Sequence, residues 1–351
     1  MNRFWSPLVN ELEPYTPGEQ PRDQAYVKLN TNENPYPPSP AVSRALQDFD
    51  PGALRRYPDP QSTDLCAALA EYYGLAANQV FIGNGSDEVL AHAFMGFFRQ
   101  SDLLLFPDIS YSFYPVYSAL YQIDYQAIPL DDAFRVDVRD YAITNGGIII
   151  PNPNAPTGIA LELSALRELL ADNQKSAVVI DEAYVDFGAE SAVSLIDEFP
   201  NLVVVQTFSK SRSLAGIRLG FALGQAPMIE SLQRVKNSFN SYPIDSLTSA
   251  VGLAALTDNA YFKDCCGQII SSRERLAEAL TRLEFEVFPS STNFLFVRHA
   301  TANAETLYQE LKSAGILVRY FKKARIDNHL RITIGTDTEC DALVAALQKI
   351  V

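Results

Sequence analysis

From about residue 62 onward, short apolar runs rich in β-branched residues alternate with stretches whose apolar positions recur at helical spacing. Residues 62–73 (STDLCAALAEYY) start on hydroxyls, carry a helical apolar face and meet Gly74, which predicts a helix and its stop. Residues 80–82 predict a short strand that runs into Gly83-Asn84-Gly85-Ser86-Asp87-Glu88, and residues 87–98 predict the next helix. Four further apolar runs read as strands. They are 103–106, closed by Pro107; 148–150, closed by Pro151; 177–180, ending at Asp181; and 202–205, leading to Ser209-Lys210. Buried runs of this kind, separated by helices, predict a parallel sheet with helices on its faces. In such open sheets ligands sit at the carboxyl ends of strands. The polar groups GNGSDE, PNPNAPTG, DEAYVDF and TFSKSRSLAGIR, which follow strand ends, should therefore converge on one site.

The two ends of the chain read differently. The first 60 residues hold Pro35, Pro37, Pro38, Pro40, Pro51, Pro58 and Pro60, which resist helix interiors, so an irregular arm lying on another surface is expected. After about Asp245 a long helical stretch runs through the 270s. Strands follow near 285–288, 293–297 and 330–334, which predicts a smaller α+β unit. A length of 351 residues suits about two domains.

Charge and cysteine usage narrow the chemistry. With 28 Lys and Arg against 42 Asp and Glu, the formal charge of −14 gives no general attraction for nucleic acid or anionic lipid. Four cysteines without a CxxC pattern, and only His92, His299 and His329, argue against a metal site and fit a reducing compartment. Residues 1–20 lack the apolar core of a signal peptide, and no run reaches the ~18 apolar residues of a membrane helix. A soluble, cytoplasmic protein is expected.

The strand-end groups carry the candidate chemistry. Lys210 follows a buried strand between hydroxyls, and a lysine amine can join a carbonyl as an imine. Thr207, Ser209 and Arg218 can cradle a phosphate, with Gly216 and Gly220 allowing close backbone approach. Asp181 ends an apolar strand and needs a positive partner, which a pyridinium nitrogen would be; Tyr184 is near enough to reach the neighbouring ring oxygen. The loop 151–158 offers asparagine donors between prolines, and Gly85-Ser86-Asp87 opens a helix whose free N–H groups suit a phosphate. Tyr111 offers a ring for stacking, and Arg331 a bidentate clamp for a carboxylate. Singly, each also reads as ordinary structure: a strand-end ion pair, an N-cap, a turn or a core aromatic.

Their order along the chain is what selects a reading. Thr207, Lys210 and Arg218 follow the S/T-x-x-K pattern with an arginine eight residues later. In this the chain resembles the fold-type I pyridoxal-phosphate aminotransferases. The segments LNTNENPY (29–36), RYPDP (56–60), GNGSDE (83–88), DEAYVDF (181–187) and LRITIGT (330–336) are similar to those of the histidinol-phosphate aminotransferase family. That resemblance implies a large domain with a mostly parallel seven-stranded sheet sandwiched by helices, plus a smaller α+β C-terminal domain. The implied divisions are an arm over 1–35, a cofactor-binding domain over 36–245 and a small domain over 246–351.

The resemblance also implies roles. Lys210 would hold pyridoxal 5′-phosphate covalently and later shuttle a proton, Asp181 would keep the ring nitrogen protonated, and Tyr111 would stack on the ring. Tyr184 and an asparagine of the proline loop would contact the ring oxygen. Because Ala155 stands where the family usually has asparagine, Asn154 is the expected donor. Gly85, Ser86, Asp87, Thr207, Ser209 and Arg218 would bind the cofactor, chiefly its phosphate, and Tyr57 would reach it from the neighbouring subunit of a homodimer. Arg331 would take the substrate carboxylate and Arg319 the substrate phosphate, with Asn30 and Tyr57 beside them, although Tyr320, Lys322, Lys323 and Arg325 could equally provide that positive pocket or form a solvated charge run. The expected substrates are histidinol phosphate, giving imidazole acetol phosphate, and the pair glutamate and 2-oxoglutarate, in ping-pong order.

Other readings stay open at this stage. An aromatic-amino-acid aminotransferase or a threonine-phosphate decarboxylase would share the fold. A nucleotide-dependent dehydrogenase would want GxGxxG after its first strand, which GNGSDE does not match. A cofactor-sensing regulator would need an attached DNA-binding domain, for which neither the length nor the charge leaves room.

Overall fold

The computed structural model of the chain describes residues 3–21 and 23–351, so of the arm expected over 1–35 positions 1, 2 and 22 lie outside the described residues. Its strands in chain order are β1 (Val27–Lys28), β2 (Val80–Asn84), β3 (Leu104–Pro107), β4 (Tyr125–Ile128), β5 (Gly147–Pro151), β6 (Val178–Asp181) and β7 (Leu202–Thr207). After these come β8 (Leu219–Gly224), β9 (Phe285–Val287), β10 (Phe294–His299), β11 (Ile316–Leu317), β12 (Arg319–Tyr320) and β13 (Leu330–Thr333). The main sheet has seven strands in the order β2-β8-β7-β6-β5-β3-β4. The pairs from β4 through β7 are parallel, and β8 lies antiparallel between β7 and β2.

Every residue of β5, β6 and β7 is buried, which is why these strands are continuous apolar runs rather than alternating ones. One sheet face packs Ile148, Ile150, Val178, Ile180, Leu202 and Val204 into a core shared with the helices Thr63–Tyr73 and Leu163–Asp172. The other face packs Ile149, Val179, Val203 and Val205 against the helices Gly85–Phe97 and Tyr114–Tyr121. The sheet is thus sandwiched, as the pattern of apolar runs implies.

A second sheet, in the order β12-β13-β10-β9, is antiparallel and has its own core with the helices Asn259–Arg282, Ala304–Ser313 and Asp337–Ile350. The long helical stretch after Asp245 is two helices, broken at Asp258. The first of them, Ser246–Thr257, buries Val251, Ala255 and Leu256 in the core of the main sheet, and only the second joins the second core. By packing, then, the changeover falls about twelve residues beyond the division after Asp245.

The proline-rich segment is tied down by the second unit. β1 pairs with β11, and Leu29 is buried in the second core. Glu19 accepts hydrogen bonds from Tyr308 and Lys312, which fastens the arm to the helix Ala304–Ser313. Two main-sheet strands escape the apolar-run reading. β8 (LGFALG) is diluted by glycine, and β4 (YQAI) is an edge strand with three exposed residues.

Candidate active site

The parallel register sets the carboxyl ends of three strands side by side, pairing Pro151 with Asp181 and Asp181 with Val205. Past these ends lies a cavity of about 180 Å³ whose lining includes Ser86, Asp87, Tyr111, Asp181, Tyr184, Thr207, Ser209, Lys210 and Arg218. Nine residues named as site candidates from sequence, drawn from four separate segments, therefore meet at one place. Thr31, Glu33, Pro151, Ala155, Ala183 and Ala215 complete the wall.

One side of the cavity is built to receive an anion. Thr207 and Ser209 join hydroxyl to hydroxyl at 3.0 Å, and the Arg218 guanidinium donates to Asp87 Oδ2 at 2.7 Å. Gly85 opens the helix Gly85–Phe97 at a φ of +76°, and a Cβ there would sit 2.5 Å from the Arg218 guanidinium. A Cβ on Gly220 would fall 2.3 Å from the Ser86 backbone nitrogen, so only glycine lets β8 approach the start of this helix. Helix N–H groups, two hydroxyls and a guanidinium thus surround a single spot.

The same cavity holds a carboxylate in a dry position. Asp181 is 5% exposed; it accepts from Tyr114 Oη at 3.0 Å and, weakly, from the Ala183 backbone at 3.3 Å. Burial pushes its carboxyl up to about 6, against the pull of the Tyr114 hydrogen bond and the Lys210 charge. Such a group is waiting for a cation. The Lys210 ammonium lines the same cavity, 5.8 Å from the centre of the Tyr184 ring. Tyr111 donates to Asp87 at 3.0 Å, which holds its ring against the cavity. A flat ring bearing a phosphate at one end and a basic nitrogen at the other fits this donor set, with Lys210 beside it.

Several candidates take other places. Asn154 is not in the cavity wall: its Nδ2 donates to Ile109 O at 2.9 Å and to Thr157 Oγ1 at 3.0 Å, so the donors a ring oxygen would need are used within the protein. The loop residue that faces the cavity is Ala155, which offers only a methyl group. Asn152 is likewise bound into the loop, accepting from the Leu161 backbone at 2.7 Å. Tyr57 is 83% exposed and stacks on Tyr242 at 4.7 Å, away from its own chain's cavity. The Asn30 side chain turns to the arm, donating to Glu19 O at 2.9 Å, and it is the Asn30 carbonyl that meets Arg331 at 2.9 Å.

The two arginines expected to hold substrate stand on the second sheet. Arg319 and Arg331 are direct partners across β12 and β13. Like charges placed opposite one another destabilise a sheet, and no ion pair to either is found among the described residues. Burial pulls the Arg331 guanidinium down from its ordinary range, and its Nε is buried without a partner. Neither arginine lines the cavity that holds Lys210, and Arg319 faces a separate one with Tyr15 and Ser112.

Residues the sequence did not single out complete the frame. Asn32 donates to Tyr184 Oη at 2.9 Å and binds Thr333 through both its backbone N–H and its Oδ1, linking the arm, the cavity and β13. Tyr114, which holds Asp181, opens the helix three residues after Tyr111, and the two rings meet edge to face at 5.7 Å. Asn32 sits on an irregular segment and has no periodicity to announce it.

Relatives of the chain are abundant. The model of the class I and II aminotransferases matches residues 24–347. The chain is 56% identical over 350 residues to histidinol-phosphate aminotransferase 1 of Hydrogenovibrio crunogenus, covering 100% of this chain and 98% of that one. It is 56% identical over 347 residues to histidinol-phosphate aminotransferase 1 of Pseudomonas aeruginosa, covering 99% of each. Among solved structures, the histidinol-phosphate aminotransferase of Sinorhizobium meliloti in complex with pyridoxal-5′-phosphate superposes with a TM-score of 0.88 over 100% of this chain and 99% of that one, at 24% identity.

Proposed function

The chain belongs to the class I and II aminotransferases, and on that premise we propose that its cavity binds pyridoxal phosphate and transfers the amino group of histidinol phosphate to 2-oxoglutarate. The observation that carries the reading is the meeting of Lys210, Asp181, Tyr184 and Arg218 in one cavity from three separate strand ends. Likeness to histidinol-phosphate aminotransferases at 56% identity over the full length, against 22% to a threonine-phosphate decarboxylase that shares the fold, supports this substrate.

Bound in this cavity, pyridoxal phosphate supplies an aldehyde that joins amino groups and a ring that draws electrons from the substrate Cα–H bond. The protein supplies position and charge. Ser86, Thr207, Ser209 and Arg218 hold the phosphate, with Asp87 orienting the Arg218 guanidinium. Asp181 keeps a proton on the ring nitrogen, because a buried carboxylate is most stable opposite a cation. Tyr184 accepts from Asn32, so its own hydroxyl proton is free for the ring oxygen, a task Asn154 and Ala155 do not take up. Tyr111 covers a ring face. The Lys210 amine would hold the cofactor through its aldehyde carbon and, once displaced by substrate, would move a proton between the substrate Cα and that carbon.

Tyr57 completes the site from a second subunit in this reading. Its exposure, shared with Leu54, Phe239 and Tyr242, leaves an apolar patch suited to a homodimer face. A cytoplasmic setting is in keeping with four cysteines that are all buried and unpaired. Among the described residues no helix is long and apolar enough to cross a membrane, and no group of side chains could hold a metal ion.

The test is a coupled assay of the purified protein with histidinol phosphate and 2-oxoglutarate, which is expected to give glutamate with parallel double-reciprocal lines. Turnover confined to phenylalanine, or carbon dioxide release from threonine phosphate, would sink the substrate reading. Arg331 can be tested in the same assay. Arg331→Ala is expected to raise the half-saturating 2-oxoglutarate concentration by about 10–100-fold, the worth of a charge-assisted hydrogen bond, while cofactor affinity by fluorescence titration stays within about twofold. Parallel losses would count against the assignment.

A further inference from the structure

Arginines answer the anionic end of both substrates, but the imidazole ring of histidinol phosphate carries N–H donors that need an acceptor once the ring leaves water. Three carboxylates line the cavity. Asp87 is committed to Arg218 and Tyr111, and Asp181 to Tyr114 and the ring nitrogen of the cofactor. Glu33 is the third, and the mechanism does not use it.

Glu33 is held without being filled. Its Oε2 takes Lys28 at 2.7 Å and Thr31 Oγ1 at 3.0 Å, and its Oε1 takes only Lys28, at 3.0 Å. A carboxylate has about four lone-pair positions, so Oε1 keeps one open. The side chain is 45% exposed, so this edge is open rather than packed. Burial alone would raise its carboxyl, but the hydrogen bonds from Lys28 and Thr31 and the charges of Lys28 and Lys210 hold it below the usual range. It is therefore a fixed anion on the cavity wall, within the field of the reactive amine.

We propose that Glu33 is a specificity-determining residue whose free carboxylate lone pair receives an imidazole N–H of the amino donor. The inference rests on histidinol phosphate being that donor. It also separates the two half-reactions, because 2-oxoglutarate has no N–H to offer.

In single-turnover measurements, each half-reaction of Glu33→Gln can be followed alone by cofactor absorption. The half-saturating concentration of histidinol phosphate is expected to rise about tenfold or more, relative to any change for 2-oxoglutarate, as befits loss of one charged hydrogen bond. The preference of the unmodified protein for histidinol phosphate over the same phosphate ester bearing a phenyl ring should shrink by a similar factor. An equal change in both half-reactions, or an undiminished preference for imidazole over phenyl, would overturn the proposal. Should Glu33→Gln fail to fold, Glu33→Asp keeps the charge but withdraws it by one methylene. It is expected to show a smaller loss, again confined to histidinol phosphate, and an even loss overturns the proposal. If the unmodified protein does not turn over histidinol phosphate, the substrate reading itself has failed, a result visible before any variant is made.

Discussion

Lys210→Ala is expected to lower transamination by about 10⁴-fold or more and to remove the visible absorption of the lysine-bound cofactor. The size follows from two losses in one substitution. In the proposed mechanism the amine that would hold the cofactor is gone, and so is the base that would move the Cα proton. No neighbour replaces it: among the residues that line the cavity Lys210 is the only lysine, and the Arg218 guanidinium cannot give up a proton at neutral pH. The variant should still bind pyridoxal phosphate through Ser86, Thr207, Ser209 and Arg218, as a non-covalent aldehyde with a different spectrum. Near-normal rates in the variant would remove the central assignment.

Asp181→Asn is expected to cost about 10²–10³-fold in kcat, since a preorganised charge facing the reacting group is commonly worth that much. Its effect on the cofactor-free protein runs the other way. Without cofactor, burial pushes the Asp181 carboxyl up to about 6 from an ordinary 3.8. A carboxyl raised in the folded state adds stability below its unfolded value and loses it as pH rises through the folded one. Between about pH 4 and 6, therefore, the empty protein gives up stability, and above 6 the full cost of about 1–3 kcal/mol is present. Asparagine carries no charge to bury. Thermal unfolding of the cofactor-free proteins should show the variant gaining on the parent at pH 8 but not at pH 4. A gain that is independent of pH would mean that the carboxylate is not the strained group.

At the ends of β6 and β7 the sequence reading places polar residues that the structure brings into one cavity. Asp181 closes β6, Thr207 closes β7, and Lys210 comes three residues later, so their meeting follows once the strands are parallel neighbours. Asn154 shows the limit of that reasoning. The motif PNPNAPTG places an asparagine near the site, but which way its amide points depends on Ile109 and Thr157, and the first of these is 45 residues away. Glu33 and Asn32 were legible only as letters in a segment without periodicity. Their partners Lys28, Tyr184 and Thr333 come from β1, the turn after β6 and β13.

By itself, the order of apolar runs and polar strand ends determined a parallel α/β sheet, the edge on which ligands bind and most of the residues that face them, because period and burial are local properties of a chain. Tertiary structure alone decided which arginines lie side by side, how the helix Ser246–Thr257 is shared out, and which donors remain free. Those outcomes turn on contacts between segments far apart in sequence, where a hydrogen bond spent in one place is no longer available in another.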